Sequence, residues 1–176
     1  MHALSSSRSP NVVPVISAAD RARGGSAVQK QLPAGDVYFL PRAGSAKGTV
    51  VFGDTRVSGT LVSALTAHVV AGKVTSMHAK SGIAAVNTLY GSGGVGRDLL
   101  SFVDFGTNRS MKVPATGQWG GGPSMAAGYV TMGIGSNLFF GGTDASPFFF
   151  LSNIPNATVT VDGKPLITSG TLALTP

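Results

Sequence analysis

At 176 residues, with 43% hydrophobic and 11% charged residues, the chain is long enough for one domain with a sizeable core. A charged fraction so far below the usual value of about a quarter excludes a disordered protein. The net charge of +6 comes from bases spread singly (Arg42, Lys47, Arg56, Lys73, Lys80, Arg97, Arg109, Lys112). That spacing argues against a nucleic-acid stripe and fits a modest field that attracts an acidic partner.

In chain order, residues 1–26 are rich in Ser, Pro, Gly and Arg and read as an N-terminal arm. Residues 27–176 form the domain proper, where short apolar runs alternate with Gly, Pro, Asn and Asp. "DVYFLP", "GTVVFG", "LTAHVVAGKVTSMHA", "LLSFVDFG", "AGYVTMGIG", "NLFFGG", "PFFFLS" and "ATVTVDGKPLI" are all expected as strands. Ala71-Gly72 and Asp162-Gly163 are turn signals that predict two hairpins. "SGIAAVNTLYG" is expected as a helix, its Ile83, Val86, Leu89 and Tyr90 at helical spacing and Gly91 a stop, with a short helical continuation in "GRDLLSF". The expected fold is mostly β (α+β), a curved sheet or barrel-like domain with one or two short helices. No run approaches the roughly 18 apolar residues of a membrane span. The N-terminus lacks a basic segment followed by a hydrophobic run, which points to a cytoplasmic protein.

The chemical inventory is narrow. There is no cysteine, hence no disulfide and no thiolate site, and all seven acids are Asp. Gly91, Gly93 and Gly96 in "GSGGVGRD" have dinucleotide-loop spacing, but they follow a helix and precede a strand, so a plain loop is expected. His68 and His78 sit on two arms of one expected hairpin with no carboxylate beside them in sequence, which does not make a metal site. Ser, His and Asp occur without a G-x-S-x-G elbow.

Four stretches in order resemble the C-terminal half of the thermophilic metallo-aminopeptidases of the aminopeptidase T and S type. "LPAGDVYFLPRAGSAKGTVVF" is similar to that family's L-P-x-G-E-V-[FY]-x-x-P-x-x-G-S-A-x-G segment. "FVDFGTN" resembles its E-x-G-x-G-T-N, "GYVTMGIGSN" its G-x-x-H-x-A-x-G, and "FGGTDASPFFFL" its F-G-G-x-N-x-S-x-x-H-x-D. The tail "ATVTVDGKPLITSGTL" matches the closing hairpin. The resemblance covers roughly residues 20–172. It implies that the family's metal ligands align with Asp36, Phe102, Thr131, Phe149 and Leu151, so that at most one carboxylate survives, with Asp104 the nearest other acid. A tight zinc site needs three or more ligands, so the expectation is a protein that is not an enzyme and carries no metal or other cofactor.

Truncated, metal-free relatives of this domain are accessory proteins in ribosomal peptide natural-product pathways, and the chain is similar to the crocagin-type peptide-binding proteins. The resemblance implies a protein that holds a precursor peptide, with an acidic leader suiting the positive charge, and presents it to a modifying enzyme. A homodimer is expected, and neither membrane nor nucleic acid is an expected partner. Phe102, Phe149 and Leu151 are then the apolar floor, with Tyr38 beside them, and Asp36, Asp104, Thr131 and Asn108 the polar rim. Arg42, Arg97 and Arg109 are candidate partners of a guest carboxylate. For Phe149 and Leu151 ordinary core packing competes with peptide contact. For Asn108 the competing reading is a turn residue, and Trp119 divides between covering the core and binding. Two other functions stay open: an oligomerising β subunit, and a degenerate aminopeptidase with residual hydrolase activity.

Overall fold

A computed structural model describes residues 35–111 and 123–173, with Ala22 before them. The N-terminal arm, its boundary with the domain, and Trp119 lie outside the described residues. Within the two described stretches, twelve short strands and one α-helix follow in order: β1 (Asp36–Phe39), β2 (Gly48–Val51), β3 (Thr55–Val57), β4 (Thr60–Val62), β5 (Thr66–Val70), β6 (Lys73–His78), α1 (Ile83–Gly91), β7 (Leu100–Gly106), β8 (Val130–Gly135), β9 (Phe149–Asn153), β10 (Val159–Val161), β11 (Lys164–Thr168) and β12 (Thr171–Leu172). They make an antiparallel four-stranded sheet in the order β1-β7-β8-β9, the three-stranded sheets β2-β5-β6 and β10-β11-β12, and the pair β3-β4. The fold is mostly β, with curved sheets that do not close into a barrel among the described residues.

Both expected hairpins form. Ala71 and Gly72 (φ 49° and 76°) join β5 to β6, and Asp162 and Gly163 (φ 50° and 77°) join β10 to β11. Two consecutive left-handed residues give the turn whose twist matches that of the strands. Ser58-Gly59 and Ser169-Gly170 repeat the device in two hairpins that the sequence pattern did not single out.

Helix α1 starts after Gly82, whose φ of 78° leads into the first turn. A side chain there would collide with the Leu61 carbonyl, so the helix enters against the backbone of the β3-β4 hairpin. Its Val86 is fully buried. The expected continuation in "GRDLLSF" is not helical. The main chain there is drawn into β pairing instead, because Val74 N–H donates to Asp98 C=O (2.6 Å) and Leu100 N–H to Gly72 C=O (2.9 Å). "NLFFGG" is likewise not a strand but a single tight turn, Leu138–Phe140. Its base is pinned by Asn137 and Asp144: Asn137 Nδ2 donates to Asp144 Oδ2 and Asp144 N–H to Asn137 Oδ1, both at 2.8 Å.

The core lies on one face of the four-stranded sheet. Leu100, Val103, Met132, Ile134 and Phe150 point into it, and Phe52 meets Phe150 edge-on at 5.3 Å. Alternation is interrupted by a bulge in β7, where Ser101 is the extra residue between Leu100 and Phe102. The bulge turns Phe102 and Asp104 to the opposite face.

Candidate functional site

The register of the four strands assembles that opposite face. Tyr38 is paired with Asp104, Asp104 with Thr131, and Thr131 with Asn153, a row that crosses the whole sheet. The neighbouring row runs Phe102, Gly133, Leu151, and Gly135 pairs with Phe149. Paired residues in antiparallel strands share a face, so Asp36, Tyr38, Phe102, Asp104, Thr131, Phe149 and Leu151 lie together. The five positions that the resemblance assigns to one metal centre are all among them.

An aromatic cluster covers part of this face. Phe102 stacks on Phe140 with centroids 3.9 Å apart and planes at 23°, and Phe149 lies 6.2 Å from Phe102. Tyr38 meets Phe140 edge-on at 5.1 Å, and Phe139 does so at 5.2 Å. Phe102 lies flat over Gly133, where a Cβ would run into its ring. Phe102 is buried, whereas Phe149 is 38% and Phe139 50% exposed. Ordinary core packing therefore describes Phe102 but not Phe149.

Beside the rings the face is polar and unsatisfied. Ser101 Oγ, Asp104 Oδ1, Thr131 Oγ1 and Asn153 Oδ1 are all buried with no hydrogen-bond partner. The Tyr129 hydroxyl, two residues before Thr131, is a fifth such atom. Burial first, and then the charge of Asp36, push the Asp104 carboxyl up to about 8, so it is protonated at neutral pH. Burial also raises Asp36, opposed by a hydrogen bond from its own backbone N–H. Sequence alone left open whether these two acids converge; the register makes them diagonal neighbours on one face of β1 and β7.

This donor set does not fit a zinc or cobalt centre of the aminopeptidase kind. It contains no imidazole, and one of its two carboxyls holds its proton. Among the described residues no group of three or more His, Cys, Asp or Glu is placed to hold a metal ion. His68 and His78 are neighbours, 6.4 Å between rings, with Thr49 Oγ1 2.9 Å from His68 Nδ1.

Strand β1 is the end of its sheet among the described residues. Thr107 N–H donates to Gly35 C=O at 2.7 Å, so Val37–Phe105 and Phe39–Val103 are the next hydrogen-bonded pairs along the ladder. The main-chain groups of Asp36 and Tyr38 consequently point away from β7, along an edge that no described strand covers, with the Asp36 N–H also bonded to its own carboxyl.

Four expected site residues stand elsewhere. Arg97 is held by helix α1: its Nη1 donates to the carbonyls of Tyr90 (3.0 Å) and Gly91 (3.3 Å), and its guanidinium lies 4.4 Å over the Tyr90 ring. It is a helix-ending residue. Arg42 is exposed on the turn between β1 and β2, at the mouth of a cavity on the core side. Asn108 is the turn residue after β7, its Oδ1 accepting from Ser110 N–H at 2.9 Å. Arg109, exposed, comes next in the same turn. Sequence reasoning missed Phe139, Phe140, Ser101 and Asn153. The "FGG" after the two rings signals a loop rather than a strand, but Ser101 and Asn153 join the face through bulge and register alone.

No described protein family matches this sequence, and no curated protein matches it. Solved structures do. A 2,5-dihydroxypyridine dioxygenase from Pseudomonas putida KT2440 superposes with a TM-score of 0.62 at 20% identity, over 80% of this chain and 44% of its own. Wild-type AmpT from Thermus thermophilus, a thermophilic aminopeptidase, does so with a TM-score of 0.59 at 20% identity, over 81% of this chain and 40% of its own. The chain thus spans less than half the length of either solved structure. Its fold is distantly related to that of an aminopeptidase and to that of a dioxygenase.

Proposed function

We propose that the chain is a non-catalytic peptide-binding protein, a relative of the aminopeptidase fold that holds a ribosomal precursor peptide while another enzyme modifies it. One observation carries this reading: the open edge of β1 runs beside the aromatic cluster. A guest strand added there pairs with the main chain of Asp36 and Tyr38, which sets its register. Its alternate side chains meet Tyr38 and, beyond it, Phe140 on the outer face, which sets its preference. Phe102, Thr131, Phe149 and Leu151, at the positions of the resembled metal ligands, favour apolar contact over hydrolysis. The +6 charge suits an acidic leader segment. The protein is proposed to act in the cytoplasm, as a homodimer.

The test is isothermal titration with a candidate precursor peptide, with and without chelator. Saturable binding unaffected by chelator, and weakened in Tyr38→Ala, is expected. A peptide that comes back cleaved, or binding that vanishes with chelator, overturns the reading. A specific observation favours a second reading in that event. Asp104, kept protonated beside Asp36, is an acid next to a second carboxyl, the arrangement a residual hydrolase would use.

A further inference from the structure

The sheets stop short of a barrel, and the gap is a cavity. Strands β1, β2 and β10 are each the last strand of their sheet among the described residues, and all three contribute to its walls. Its volume is about 220 Å³. Val103, Val130 and Met132 form its floor, which puts it on the core face of the four-stranded sheet. Asp36, Asp104 and the aromatic cluster are therefore on the far side of that sheet.

Apolar side chains make up most of the lining. No acid is among the lining residues, and the two that are charged, Arg42 and Lys47, are both cations and both exposed. Neither forms an ion pair among the described residues. Native interiors are close-packed, so an apolar space of this size is a place for a guest. An apolar cavity of about 150 Å³ takes up benzene, roughly 25 Å³ per carbon. On that scale this one holds a tail of about nine carbons.

We propose that the cavity binds a small amphiphilic anion: a single-chain carboxylate of about eight to ten carbons. The tail lies against Val103, Val130 and Met132 between the three strand ends. The head sits at the mouth, where Arg42 and Lys47 supply the charge that it needs and no carboxylate competes. The site is independent of the peptide-binding face, so either assignment can fail without the other.

Isothermal titration of the full chain with decanoate, octanoate and decanol tests this, with sedimentation run on the same samples. Decanoate should bind saturably at one per chain, octanoate about tenfold more weakly. Decanol should bind more weakly than decanoate, and the double variant Arg42→Ala/Lys47→Ala should bring decanoate down to the level of decanol. Val159→Phe, placed in the half-buried wall from β10, should abolish uptake. Should that variant fail to fold by circular dichroism, the comparison of decanoate with decanol on the unaltered protein decides. No saturable decanoate binding, equal binding of the alcohol, or indifference to the double variant overturns the proposal. So does a dimer that Val159→Phe dissociates and that takes up no decanoate, which would make a second copy the occupant.

Discussion

Phe149 and Phe150 are adjacent in sequence and belong to two different environments. Phe150 faces inward into the apolar core, paired with Ile134 and meeting Phe52 edge-on. Phe149 faces outward, partly exposed, on a face that also buries unpartnered oxygens of Ser101, Asp104, Thr131 and Asn153. An unpartnered buried polar group costs about 1–3 kcal/mol. The inner face therefore builds stability and the outer face spends it. That asymmetry is what a recognition surface requires: groups already desolvated and lacking only their partner.

Substitutions at paired positions can break the contrast. The largest effect belongs to Phe150→Ala, expected to cost about 3–5 kcal/mol in urea unfolding. Phe149→Ala should cost less than about 1 kcal/mol. Equal losses would mean that the outer face is simply a second core.

Next comes Asp104. Its folded carboxyl, raised to about 8, keeps a proton that the unfolded chain releases near the ordinary value of 3.8. Between those two values the folded state binds more protons, so stability is full below the lower one and is lost as pH rises through the upper one. Thermal unfolding should show the protein at least ~2 kcal/mol less stable at pH 8 than at pH 4 from this group alone. Asp104→Asn should flatten that slope. An unchanged slope would place the acid in water instead of buried in the sheet.

Gly133→Ala, whose new methyl would meet the Phe102 ring, should cost about 1–2 kcal/mol. A double-mutant cycle with Phe102→Ala should recover most of it. The smallest effect has the opposite sign. Thr131→Val removes a buried hydroxyl without a partner and should stabilise the fold by about 1 kcal/mol, read by urea midpoint, while weakening any guest that uses that oxygen.

Much of the sheet could be read from the sequence, because strand runs such as "DVYFLP" and "PFFFLS" and turn pairs such as Asp162-Gly163 are local signals. Local signals also misled. The two rings of "NLFF" look like strand, yet the Asn137–Asp144 pair ties the segment into a turn that drops Phe140 onto Phe102. "GRDLLSF" looks helical, yet it is claimed by main-chain bonds to Gly72 and Val74 of the β5-β6 hairpin, distant in sequence. The resemblance brought Asp36, Phe102, Thr131, Phe149 and Leu151 to one face because it carries three-dimensional information that periodicity lacks. It said nothing of Arg97, whose partners are helix carbonyls. Nor could it find Asn153, which enters the row only through register with Thr131.

The four left-handed turns also set an order of events. Each hairpin they close joins strands only a few residues apart, contacts that form in about microseconds. The pairing of β1 with β7 brings Phe39 to Val103 across more than sixty residues of chain, and such long closures are slow. The open edge beside Asp36 and Tyr38 is thus completed late, after the hairpins have buried their own apolar residues. A chain caught before that step does not yet present this edge, so strand capture at Asp36 and Tyr38 is a property of the assembled sheet alone.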